Sequence, residues 1–156
     1  MSTLNDDVTM LRKVPLFESV EPSKLKLIAY TSSHLVFDDG EEVFSQGSNG
    51  TSAYLIVNGE ADILSDSGGH QVVVAVLGDN ALFGEISAFC DVPRTASVRA
   101  RGQLTLLELK RENLLELIQE FPDVAIEVIR ELAKRLALTT SDLANVLDKQ
   151  NARKKH

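Results

Sequence analysis

The sequence predicts an α+β protein: an antiparallel, jelly-roll-like β-roll with short helices before it, a short helix within it and a long helix after it. Three observations carry this prediction. Between residues 33 and 110, short β-branched runs recur between turn residues, at the spacing of small all-β folds. On either side the apolar residues change to helical spacing. From Pro122 onward that spacing continues for about seven turns with no interior Gly or Pro.

Each element has its own local reason. Apolar residues fall at helical spacing from Leu4 to Leu16 and from Pro22 to Tyr30; Leu25, Ile28 and Ala29 share a face, and Pro22-Ser23 marks a helix start. Strands are expected at Leu35–Phe37, Val43–Phe44, Ala53–Val57, Ala61–Leu64, Val72–Leu77, Ala96–Ala100 and Leu104–Leu109. Asp39-Gly40, Asn58-Gly59 and Gly68-Gly69 lie between these runs, where tight turns need positive φ, and Asn58-Gly59 is the strongest hairpin signal of the three. After Lys110, Leu114, Leu115, Leu117 and Ile118 mark a short helix that Phe121-Pro122 interrupts. Val124, Val128, Ile129, Leu132, Leu136, Leu143 and Leu147 then mark the long one. The expected organisation is one domain over residues 1–149, with helices in 1–32, the roll in 33–110 and helices in 111–149, followed by a basic tail at 150–156. A helix of about 25 residues spans roughly 38 Å, more than a small domain covers, so part of it is expected to bury against a second copy in a homodimer.

Composition narrows the function classes. With 156 residues, 44% of them hydrophobic, the chain can bury a real core. Met1 to Leu11 carries acids and no apolar run of signal-peptide length, and no stretch approaches the roughly 18 apolar residues of a membrane span, so the expected setting is cytoplasmic, with no membrane partner. A net charge of −7 argues against direct nucleic-acid binding, which needs a field of Lys and Arg; the basic cluster Arg153-Lys154-Lys155-His156 is a solvated terminus. The single cysteine, Cys90, permits neither an internal disulfide nor a multi-cysteine metal site.

The informative segment is Phe83-Gly84-Glu85-Ile86-Ser87-Ala88-Phe89, followed after a short loop by Pro93-Arg94-Thr95-Ala96-Ser97-Val98. It resembles the phosphate-binding cassette of the cyclic-nucleotide-binding domain family, in which a short helix opened by Gly-Glu and a following Pro-Arg-x-Ala hold the cyclic phosphate and ribose. Tyr54-Leu55-Ile56-Val57-Asn58-Gly59 resembles that family's strand and turn. The chemistry suits those residue types. A cyclic phosphate is a compact monoanion, and Gly84 allows close backbone approach to the first-turn amides of Ile86, Ser87 and Ala88. Arg94 adds a planar fork for phosphate oxygens. Glu85, an acceptor when ionised, suits a ribose hydroxyl and would repel phosphate. Phe83, Thr95, Ala96 and Val74 complete the ligand contacts that the resemblance implies. The chain departs from the family at Asn80-Ala81, where Gly-Asp is common; Asn80 can still adopt positive φ, and the turn is expected to be capped another way.

Two features bear on the nucleotide. Thr95 stands where cGMP-selective members often carry a hydroxyl. The long helix, through Glu131-Leu132-Ala133-Lys134-Arg135-Leu136 and on to Thr139-Thr140, resembles the dimerisation helix of bacterial catabolite-activator-type regulators, where a Thr and the adjacent Ser reach the adenine of cAMP from the two subunits. The resemblance implies cAMP as ligand, with cGMP as the alternative, and no metal. Those regulators continue into a helix-turn-helix domain, absent up to His156, so the expected output is movement of the final helix, read by an unidentified effector protein. Three rivals are weaker. An enzyme would need converging metal or acid–base groups, whereas His34, His70 and His156 are scattered. A haem sensor could use one His or Cys, and a roll without ligand could serve as a dimerising module, but the intact Glu85 and Arg94 speak against both.

Overall fold

The computed structural model describes residues 4–18 and 20–154, apart from the side chains of Arg135, Thr139, Arg153 and Lys154. Helix α1 covers Leu4–Arg12, a 3-10 turn follows at Pro15–Phe17, and α2 covers Pro22–Thr31. The helical spacing from Leu4 to Leu16 is thus divided in two. Pro15 supplies no N–H to continue α1 and holds Val14 extended, at φ −79° and ψ 124°.

The roll contains β1 (Ser33–Phe37), β2 (Glu42–Phe44), β3 (Ser52–Ser67), β4 (His70–Leu77), β5 (Leu82–Phe83) and β6 (Ser97–Lys110), with α3 (Glu85–Cys90) between the last two. The strand order is β1-β6-β3-β4, with β2 also on β6 and β5 on β3, and every pairing is antiparallel. Helix α4 (Arg111–Glu120) and helix α5 (Pro122–Lys154) close the fold.

Two expected breaks are not turns. Asn58-Gly59 reads as a hairpin, yet β3 runs through it and keeps β6 as partner on both sides, with the register shifting between Ile56 and Asn58 and again between Asn58 and Glu60. Gly59 sits at φ 109° and gives its N–H to Asp79 Oδ1 at 3.0 Å. It is a bulge that bends the strand, not a reversal. The break expected between Ala100 and Leu104 is likewise absorbed into β6 at Gly102, whose N–H donates to Asp39 Oδ1 at 2.7 Å. The true two-residue hairpin is Gly68-Gly69, with φ 57° and 84°, between β3 and β4.

Because β3 and β6 are covered on both faces, alternate residues feed two cores. Tyr54, Ile56, Leu104 and Leu106 face the inside of the roll, while Leu55, Leu107 and Leu109 face the helices. That second core brings Leu11, Phe17 and Leu25 together with Ala88, Leu114, Leu117, Val124 and Val128. Helix α5 is longer than expected. At 33 residues it extends roughly 50 Å and takes in the tail as far as Lys154, since nothing in Gln150-Asn151-Ala152 breaks a helix. It packs at its base against α4 and the 3-10 turn, whereas Ile129, Leu136, Leu138, Leu143, Val146 and Leu147 are exposed.

The bulge makes a direct prediction. A Cβ on Gly59 would lie 2.5 Å from Gln103 O and 3.2 Å from Leu104 Cα, at a φ that L residues resist. Gly59→Ala is expected to lower the unfolding free energy by about 2–4 kcal/mol in urea titration; a loss below about 0.5 kcal/mol would show that the bulge relaxes freely.

Candidate functional site

Arg94 is the centre of the site and is 4% exposed. Its backbone is tied to the loop between β2 and β3: its N–H donates to Ser48 O at 2.9 Å, and its carbonyl accepts from Gly47 N–H at 2.8 Å. From there the side chain enters the roll. Nη1 donates to Gly84 O at 3.0 Å and Nη2 to Ser52 O at 2.9 Å. The guanidinium lies over the Phe44 ring, 4.2 Å from its centroid, with Tyr54 at 5.8 Å. Phe44, Tyr54 and Phe83 form a triangle of rings with centroids 5.4–5.9 Å apart. An electron-rich aromatic floor and two carbonyls hold the cation where water cannot. Nε is buried and makes no hydrogen bond to the described residues.

Electrostatics follow the same geometry. Burial, foremost, makes the Arg94 guanidinium easier to deprotonate than an ordinary arginine, and the charge of Arg111 adds to this; Tyr54, Glu108 and Glu85 oppose it. Arginine remains a cation here nonetheless. The Tyr54 phenol is raised, first by burial and then by Glu108, whose Oε2 accepts its O–H at 3.3 Å.

Helix α3 begins beside this cation. Gly84 caps it in the left-handed region at φ 77°; a Cβ there would come within 2.9 Å of Arg94 Nη1 and 3.3 Å of Ser52 O. Glu85 and Ser87 are buried at 5% and 2% exposure, and Ile86 is half-buried. The Ala88 amide is not available to a ligand as expected, because the helix spends it on Gly84 O at 3.3 Å. At the departure Asn80-Ala81, Asn80 takes the positive φ expected of it, 69°, and the turn is closed by backbone alone, Ala81 N–H donating to Gly78 O at 3.2 Å, while the Asp79 carboxylate accepts from Gly59 N–H on β3.

Phe83, Gly84, Glu85, Ile86, Ser87 and Arg94 therefore come together, as the sequence indicates. Ala96 is half-buried just beyond Arg94, and Thr95 is exposed in the loop. Val74 lies apart on edge strand β4, 59% exposed, at the register shift against Ile63 and Leu64. Thr140 is exposed on α5, well beyond the helix's buried base, and the side chain of Thr139 lies outside the described residues. Among the described residues no group of three or more His, Cys, Asp or Glu is placed to hold a metal; His34 pairs with buried Asp7 at 3.1 Å, and Cys90 is exposed.

Several residues of the site are not evident from sequence. Phe44, Ser52 and Tyr54 look like ordinary strand residues, yet they form the seat of the guanidinium. Gly50 matters for what it lacks, since a Cβ there would collide with the Arg94 side chain. The glycine-rich run Gln46-Gly47-Ser48-Asn49-Gly50 is the one local sign of such close approach.

Comparison with known proteins accords with this arrangement. The profile of the cyclic nucleotide-binding domain matches residues 34–121, more than half of the chain. The chain belongs to the cyclic nucleotide-binding domain family. Among its relatives, the CRP-like cAMP-activated global transcriptional regulator of Mycobacterium tuberculosis is 28% identical over 139 residues, covering 88% of this chain and 62% of the regulator. The cAMP-dependent protein kinase regulatory subunit of Blastocladiella emersonii is 31% identical over 73% of this chain and 28% of its own length. The crystal structure of the Thermus thermophilus catabolite activator protein superposes with a TM-score of 0.76 at 32% identity, over 85% of this chain and 62% of that one. The chain thus spans less than two thirds of these longer regulators, and what it shares with them is a cyclic-nucleotide-binding regulatory domain rather than a catalytic one. No described helix is long and apolar enough to cross a membrane.

Proposed function

We propose that this chain is a cytoplasmic sensor that binds cAMP and passes the event to a partner protein through movement of α5. The observation that carries the reading is Arg94: a buried cation, fixed by two carbonyls and an aromatic floor, with an Nε–H that meets no acceptor among the described residues. Burying a charge in that state is costly unless an anion meets it. A cyclic phosphate against Arg94 and the amides at 86 and 87 meets the charge, and Glu85, buried at the start of α3, then faces the ribose hydroxyl rather than the phosphate. Preference for adenine over guanine is supported by the cAMP-activated and cAMP-dependent relatives and by the helix bearing Thr139 and Thr140; Thr95, exposed beside Arg94, is the feature that favours cGMP instead. In this reading the base extends from Arg94 past Ala96 toward Val74 on the exposed edge strand β4.

Homodimerisation through α5 is part of the same proposal. Ile129, Leu132, Leu136, Leu143 and Val146 fall at alternating three- and four-residue intervals, with Thr139 in the same seam, and all but Leu132 of the five apolar residues are exposed in the single chain. That is the stripe a two-stranded coiled coil buries. A second α5 would also bring a partner's hydroxyls toward the base.

Calorimetric titration of protein freed of copurified nucleotide tests the ligand. Saturable binding with cAMP tighter than cGMP is expected, and Arg94→Ala is expected to weaken it by about 2–5 kcal/mol while circular dichroism still reports a folded roll. Tighter cGMP binding would transfer the specificity to Thr95, and unchanged affinity in Arg94→Ala would remove the site. For the dimer, sedimentation velocity is expected to show two-chain particles that become monomers in Leu136→Glu/Leu143→Glu; a monomeric parent protein would contradict the seam.

A further inference from the structure

Helix α3 is held at its far end by a second arginine. Arg111 is the first residue of α4, directly after β6, and its side chain turns back onto the last turn of α3. Nη2 donates to Ser87 O at 2.6 Å and Nε to Ala88 O at 2.8 Å, while Asp91 Oδ1 lies 3.2 Å from Nη2. Asp91 ends α3 in the left-handed region, at φ 53°. One planar fork therefore grips two carbonyls and a carboxylate, and lysine, with a single ammonium, could not span all three. Arg94 holds Gly84 O at one end of the six-residue helix, and Arg111 holds Ser87 O and Ala88 O at the other.

We propose that Arg111 is the positioning residue through which a shift of α3 reaches α4 and the long helix. The proposal rests on the nucleotide seating against Arg94 and α3. Ala88 also shares the outer core with Leu114 and Leu117 of α4, but apolar packing has no direction and lets surfaces slide. The three polar contacts of Arg111 fix both distance and orientation. Beyond Arg111 the path is stiff: Phe121 N–H donates to Leu117 O at 2.8 Å and Val124 N–H to Phe121 O at 2.9 Å, which carries α4 into the base of α5. That base has room to move. A pocket of about 210 Å³ lies between Leu16, Leu82 and Glu85 on one side and Val128 and Leu132 on the other.

Capping of carbonyls by a cation is also a plain stabilising role, so the test must read coupling rather than stability. Amide hydrogen exchange is measured with and without saturating cAMP in the parent protein, Arg111→Gln, Arg111→Lys and Asp91→Asn, with affinity taken from calorimetry. In the parent, cAMP is expected to slow exchange in 84–90 and to change it in 111–132. In Arg111→Gln the first effect and the affinity are expected to stay within about threefold of the parent, while the change in 111–132 falls at least about threefold; Arg111→Lys restores part of it. An undiminished change in 111–132 overturns the proposal. So does a loss of cAMP affinity alongside it, which would put Arg111 in the binding site. Should Arg111→Gln fail to fold, Asp91→Asn, at an exposed position, must show a partial loss of the same signal, and its absence overturns the proposal too. A parent protein that binds no cyclic nucleotide defeats the functional reading first, before any variant is compared.

Discussion

The structure is organised around one buried guanidinium. Taking an arginine side chain out of water costs several kcal/mol unless every face of it is answered, and the roll answers Arg94 on nearly every side. Phe44 lies beneath it, Ser52 O and Gly84 O accept from its ends, and the loop at 47–48 clamps its backbone. Other choices in the sequence follow from that demand. Gly84 and Gly50 have no side chain because the guanidinium passes where a Cβ would be. Strand β5, only two residues long, pairs Phe83 with Tyr54 and so sets both the aromatic floor and the start of α3.

The second constraint is that β3 and β6 are buried on both faces. Alternation along each strand then supplies the inner core that seats Arg94 and the outer core on which α3, α4 and the base of α5 rest. Ala88 reaches the outer core from α3, so the element that begins at the cation ends among the residues that hold the helices. The site, α4 and the base of α5 are therefore neighbours through a shared hydrophobic layer, and the polar grip of Arg111 lies across it.

Much of this was legible in the sequence because the relevant signals are local. The positive φ of Asn80, the short helix opened at Gly84, the Gly68-Gly69 hairpin and the unbroken helix after Pro122 all depend on residues within a turn of each other. What was misread depends on partners distant in sequence. Asn58-Gly59 satisfies every local rule for a hairpin, and only the continuous β6 alongside, with Asp79 accepting its N–H, makes it a bulge. Phe44, Ser52 and Gly50 belong to the site because the fold brings residues 44–54 against residue 94, a closure that no periodicity announces. Thr139 and Thr140 are the opposite case: a family pattern names them, and a single chain leaves Thr140 in solvent.

The most direct test of the central claim is the Arg94 side-chain Nε–Hε resonance in nitrogen-15 NMR, followed through a cAMP titration. The account predicts that this proton, without an acceptor among the described residues, shifts downfield and exchanges more slowly as binding saturates, because the cyclic phosphate accepts it. Saturable binding that leaves the Arg94 resonance unmoved would place the phosphate elsewhere and contradict the account.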